Sequence, residues 1–243
     1  FTGGGELDNG TTFSMTATTN DAHGISASTT TITTPSLGSF TLGTSTGSAS
    51  YMYDEEVPMA YEQVSDGKDT MANKVGDFMD NNSVMYTSPT LEMMGASITA
   101  HLGYTPQATD AAAGDGAQLT YSETIGAGKE AGITIAYEGL KVGFYGAERD
   151  RTVPFTQGST GNYQHDEFNG AWYATYSAGP VAIGYSETYA DAGVTSAIST
   201  SSTTTAKTRR SGGGIYTSES MSIAFNVNDN MSISYTTSDE TYD

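Results

Sequence analysis

Along most of the chain, apolar residues recur at every second position. Phe13, Met15 and Ala17 alternate with Thr12, Ser14, Thr16 and Thr18, Ile98, Ala100 and Leu102 with Ser97, Thr99 and His101, and Val181, Ile183 and Tyr185 with Ala182, Gly184 and Ser186. A strand turns successive side chains to opposite faces, so this period writes strands with one apolar face and one small, hydroxylated face. Strands are predicted near 1–6, 11–19, 24–33, 38–44, 83–88, 95–104, 131–137, 140–149, 167–177, 180–190, 215–226 and 230–238. An apolar stripe of helical period is missing except from Pro58 to Met71, where a helical turn or two is predicted.

The connections fall into two alternating populations. Short ones, at 7–10, 35–38, 88–94, 138–139, 177–180 and 227–230, are mostly built from Gly, Pro, Asn or Asp. Between them lie a brief loop at 20–23 and long ones at 45–82, 105–130, 150–166 and 191–214. An aromatic residue precedes each of four short connections: Tyr86, Tyr137, Tyr176 and Phe225. Short turns on one rim, long loops on the other and an aromatic girdle predict an all-β fold, a transmembrane antiparallel β-barrel in a single domain over 1–243. Alternation alone does not distinguish this from a soluble barrel with its apolar face inside. The second face decides, because it carries few Lys or Glu and suits a lumen wall better than a soluble surface.

Composition narrows the function. The 243 residues contain 28 acidic and nine basic side chains, for a formal net charge of −19, which argues against a nucleic-acid partner. No cysteine is present, so neither a disulfide framework nor a thiolate metal site exists. A mean hydropathy of −0.36 and the lack of a long apolar run exclude membrane helices but not barrel strands, which need only every second residue apolar. Neither a charged start nor an apolar stretch follows Phe1, so no signal peptide is read. Nothing marks an enzyme: no Gly-x-Ser-x-Gly elbow is found, and the glycines at 3–5 and 212–214 lack the context of a phosphate cradle. His23, His101 and His165 are not at metal-ligand spacing.

Gly38-Ser39-Phe40-Thr41-Leu42-Gly43 before an acidic loop resembles the strand leading into the folded-in third loop of Gram-negative general porins, and Asn82 to Pro89 resembles the strand that leaves it. Gly170 to Val181 and Met221 to Tyr235 are similar to later strand pairs of the alphaproteobacterial type. The resemblance implies a bacterial outer-membrane protein, a homotrimer of 16-stranded barrels in outer-membrane lipid that passes small hydrophilic solutes and ions passively. On this resemblance, about 12 of the expected 16 strands are present, the first and roughly the last three being absent.

It also implies that loop 45–82 folds into the lumen and narrows it. Asp54, Glu55, Glu56, Glu62 and Asp66 would then line the constriction and favour cations. Such porins oppose this loop with a basic wall, yet no Lys or Arg precedes Lys68. Lys141, expected to point inward beside Gly143 and Tyr145, is the wall candidate, with Arg149 and Arg151 at the loop end of the same strand. No cofactor is expected; Asp66, Asp69, Asp77 and Asp80 are the oxygen donors that Ca²⁺ would take, but they do not fit a twelve-residue calcium loop. Trp172 reads as a lipid-interface anchor. The alternative from another class is a secreted or surface-attached β-rich adhesion or glycan-binding protein, supported by the Ser and Thr content and opposed by the loop alternation and the lack of a fixed repeat.

Overall fold

A computed structural model describes residues 1–19, 25–44, 46–54, 56–60, 75–79, 82–106, 108, 125–151, 165–191, 193, 215–228 and 230–242. The strands are β1 (Thr2–Glu6), β2 (Thr12–Thr19), β3 (Ile25–Thr34), β4 (Gly38–Gly43), β5 (Ser83–Thr87), β6 (Leu91–Met93), β7 (Ala96–Thr105), β8 (Ile125–Tyr137), β9 (Leu140–Arg151), β10 (Glu167–Ala178), β11 (Val181–Asp191), β12 (Ile215–Asn228) and β13 (Met231–Tyr242). They form one antiparallel sheet in chain order, with β6 set beside β7. Among the described residues β1 pairs only with β2 and β13 only with β12, so the sheet is not closed on itself.

β5 and β6 act as one interrupted strand. Thr87 lies opposite His101 and Leu91 opposite Ile98, so the β5–β6 side carries one extra residue, a bulge around Pro89. The bulge is bridged by Ser88, whose N–H donates to the Ala100 carbonyl and whose Oγ accepts from the Ala100 N–H, both at 2.9 Å. The connection expected at 88–94 thus contains the short strand Leu91–Met93, and its tight turn is Met94–Gly95, both with positive φ as a two-residue hairpin of this hand requires. The proline that reads as a turn in sequence instead occupies a bulge, where a missing donor is tolerated.

Other boundaries also move. β8 begins at Ile125 rather than near 131, because Gly126-Ala127-Gly128-Lys129-Glu130 lacks the β-branched residues that announce a strand. The predicted helical turn at 58–71 is not found at Pro58–Ala60, and its remainder lies outside the described residues. Two short 3₁₀ turns, Ala49–Met52 and Asp77–Met79, flank it instead. Among the described residues there is no α-helix.

The sheet sorts its side chains as the alternation requires. Leu102, Phe144, Ile183 and Ile223 point to one face and are about half exposed, at 52%, 50%, 48% and 51%. His101, Tyr145 and Tyr173 on the other face are buried, at 5%, 6% and 0%. The outward face of β9 runs Leu140, Val142, Phe144 and Gly146 before its first charge at Glu148, and that of β8 runs Tyr137, Ile135, Ile133 and Ala131 before Lys129. From the turn to that first charge each face extends eight residues, about 26 Å along the strand at ~3.3 Å per residue.

The short turns do not lie on one register row. Ala96 faces Tyr137, Tyr137 faces Leu140, and the row continues through Tyr176, Ile183, Ile223 and Tyr235. At β7 to β9 this row borders the turns, but at β12 it crosses Ile223, well above the turn that follows Asn228. Toward β4 it passes beneath the turn at 35–37. The turns therefore step steadily down the register from one edge of the sheet to the other, as they do when strands are tilted against a level rim.

The buried face is notched to receive what covers it. A Cβ at Gly132 would lie 2.5 Å from the Tyr53 ring, and one at Gly184 would lie 2.4 Å from Cδ of Pro58. Gly132→Val is accordingly expected to destabilise the protein by about 1–3 kcal/mol through overpacking. Gly146→Ala, where the new Cβ meets Phe168 at an ordinary 3.6 Å, is expected to stay within about 0.5 kcal/mol. Urea unfolding midpoints of the two variants check this, and equal midpoints would contradict the seating of Tyr53 on Gly132.

Candidate functional site

The segment that leaves β4 crosses the buried face of the sheet as a strap. Its root is tied at the start of β5 by a hydrogen bond between Thr46 and Ser83. Ser48 then caps the Ala49–Met52 turn, accepting from the Ser50 N–H at 3.0 Å. Ser48 Oγ donates to Glu130 at 2.7 Å, the Ala49 N–H donates to the same carboxylate at 3.1 Å, and the Tyr145 hydroxyl donates to it at 2.8 Å. Glu130 is 5% exposed. Gly103, directly opposite it on β7, leaves the room it fills.

Tyr53 fills the next position along the strap. Its ring stacks on Tyr145 with centroids 5.5 Å apart, meets His101 edge-on at 5.8 Å, and shares a 2.7 Å hydrogen bond with His101 Nδ1. Burial pushes the pKa of the Tyr53 phenol up, so it stays neutral and polar in a packed site. Glu56 then meets Lys141 Nζ at 3.3 Å, and the same ammonium stands 5.2 Å from the Tyr173 ring centre. Beyond it, Ser222 Oγ donates to the Pro58 carbonyl and the Ala60 N–H donates to Ser234 Oγ at 3.0 Å. The strap thus spans from β8 to β13. Val75, Phe78 and Met79 pack against the same face, with the Arg149 guanidinium 5.0 Å over the Phe78 ring.

Two expected site residues take other roles. Asp54 is buried at 5%, so it does not project into an open passage; the tight turn that seats Tyr53 takes its neighbour down with it. Arg149 is no free rim cation: it is 2% exposed, hydrogen-bonded to the Ala108 carbonyl and paired with Glu167. Glu56 and Lys141, by contrast, lie on the strap face and meet each other. Glu55, Glu62 and Asp66 lie outside the described residues, as do the side chain of Arg151, the calcium candidates Asp69 and Asp80, and the side chain of Asp77.

Tyr137, Tyr176 and Phe225 are outward and 41–49% exposed, with Tyr137 and Tyr176 in one cross-strand row. Tyr86 is half-buried against Phe40 at 4.9 Å and sits above the β6–β7 hairpin rather than at its turn. Trp172 is outward, its Nε1 donating to Glu187 at 3.2 Å. Glu148, Asp150 and Asp166 bring carboxylate oxygens within 4.8 Å of one another on an exposed surface, where Lys129 approaches Asp150 at 3.9 Å.

Sequence reasoning missed Glu130, placing it at the end of a long loop. Its only signal was position: it keeps the two-residue phase of Gly128, Gly132 and Thr134, all on the strap face. No family model matches this chain, and no curated protein is similar to it beyond chance.

Both partners of the Glu56–Lys141 pair remain about 35–45% exposed. A double-mutant cycle with Glu56→Gln and Lys141→Gln is expected to give a coupling below about 1 kcal/mol that shrinks as salt is raised. A coupling of several kcal/mol, insensitive to salt, would place the pair in a dry interior.

Proposed function

We propose that this chain forms an outer-membrane channel of the porin kind, a β-barrel through which small hydrophilic solutes and ions diffuse passively. One observation carries the reading. A sheet exposes an apolar face that on β8 and β9 runs about 26 Å along the strand from the turn to the first charge, and about 20 Å on β11 before Glu187, while the described part of the connection between β4 and β5 lies on the opposite, hydroxyl-bearing face. A soluble protein of this kind would hide the apolar face; on strands tilted by about 40° the face stands roughly 20 Å high, near the apolar band that lipid covers on a membrane barrel.

The stepped turns add support, because tilt and stagger are what let a sheet close into a cylinder. Closure also removes the unpaired edges that a bilayer does not tolerate. No helix among the described residues is long and apolar enough to span a membrane, so any crossing falls to the strands.

On this reading the strap narrows the passage. Its two described strap-face cations are each matched by a carboxylate, Lys141 by Glu56 and Arg149 by Glu167, so they offer little attraction to anions. With 28 acidic residues against nine basic ones, the remaining charge favours cations. The likeness to general porins extends the proposal to a homotrimer.

The test is reconstitution. The purified chain is expected to require detergent and to give ohmic, cation-preferring conductance in planar bilayers. Ile183→Arg, at a lipid-facing position, is expected to lower membrane folding stability by about 2–4 kcal/mol. A protein that stays monodisperse without detergent, and tolerates Ile183→Arg unchanged, would point to the soluble adhesion class instead.

A further inference from the structure

We infer that Glu130 is the positioning residue of the strap: a wall carboxylate that fixes where the constriction sits without lending its charge to the passage. The consequence for conduction rests on the channel reading above; the positioning itself does not.

Three donors converge on this carboxylate from two directions. Ser48 Oγ and the Ala49 N–H come from the strap at 2.7 and 3.1 Å, and the Tyr145 hydroxyl comes from β9 at 2.8 Å. Ala49 opens a short turn, so its N–H has no partner within that turn and needs one from outside. An ionised carboxylate offers only acceptors, about four lone-pair sites on two oxygens, and so matches three donors as no amide would. Bonds to a charged acceptor are shorter and stronger than neutral ones.

The placement is equally specific. Glu130 is buried on β8, and Gly103 opposite it is the only residue type that leaves the cross-strand space its side chain occupies. Next along the strap Tyr53 packs on Tyr145 and hydrogen-bonds His101, and beyond it the strap is held by the half-exposed Glu56–Lys141 pair and by single hydrogen bonds to Ser222 and Ser234. The Glu130 anchor at Ser48 and Ala49 is therefore the charged hold on the strap's first turn, and releasing it widens the range of positions the strap takes while Glu56 keeps its charge in the passage.

The absence of cysteine supplies a clean reporter. Ser50 is fully buried beneath the root and its Oγ makes no hydrogen bond, so Ser50→Cys replaces it at little cost. In the full-length chain in detergent, maleimide labelling of this cysteine is expected to be slow, and about tenfold or more faster once Glu130→Ala is added, with Glu130→Gln between. If the alanine variant does not fold, the glutamine variant decides by the same rate.

In planar bilayers Glu130→Ala is expected to broaden the distribution of single-channel conductance while leaving the reversal potential in a salt gradient unchanged, whereas Glu56→Gln moves that potential. Equal labelling rates with and without Glu130, or a reversal potential that Glu130→Ala shifts as far as Glu56→Gln does, would overturn the inference. A wild-type chain that conducts nothing would defeat the channel reading alone, and the labelling rates would still decide the positioning role.

Discussion

The two-residue period of the strand is the constraint on which everything else depends. Because each residue faces opposite to its neighbours, a sheet this wide must assign every side chain to one of two surfaces, and a slip of one position would exchange them. Here Leu140, Val142 and Phe144 fall on one surface and Lys141, Gly143 and Tyr145 on the other. The same phase is kept through Tyr173 on β10 and Ser222 on β12. Alternation thus produces one apolar face and one polar, notched face from one simple rule.

The strap depends on that wall being small as well as polar. Tyr53 and Pro58 approach the sheet only because glycine stands beneath each, and their approach brings Glu56 to Lys141. Glycine in a strand interior is intrinsically unfavourable, by roughly 0.5–1 kcal/mol relative to alanine. Its placement at Gly132 and Gly184 is offset by aromatic and hydrogen-bonded contacts that a larger residue would exclude. Stability and the path of the strap are therefore set by the same positions.

The sheet, its meander order and the division of its faces were legible in the sequence wherever β-branched and aromatic residues kept the alternation, as in β7, β11 and β12. What was not legible lay where glycine and charge replace that signal. The start of β8 reads as loop because a strand seated under a strap uses Gly128, Glu130 and Gly132, not valine and threonine. Pro89 reads as a turn because a bulge and a turn use the same residue. Asp54 and Arg149 read as pore-facing charges because sequence reveals a residue's charge but not the partner that buries it. Of the proposed site, Lys141 and Glu56 were visible as types on the right elements; their 3.3 Å meeting depends on the strap's path, which local pattern does not encode.

The central claim is that the apolar face meets lipid, and the single tryptophan reports on it directly. Trp172 lies on that face in the row with Phe144 and is 36% exposed. In liposomes, the account predicts a blue-shifted Trp172 emission that is quenched by lipids brominated along the acyl chain and protected from aqueous acrylamide. A red-shifted emission, quenched by acrylamide and indifferent to brominated lipid, would contradict it.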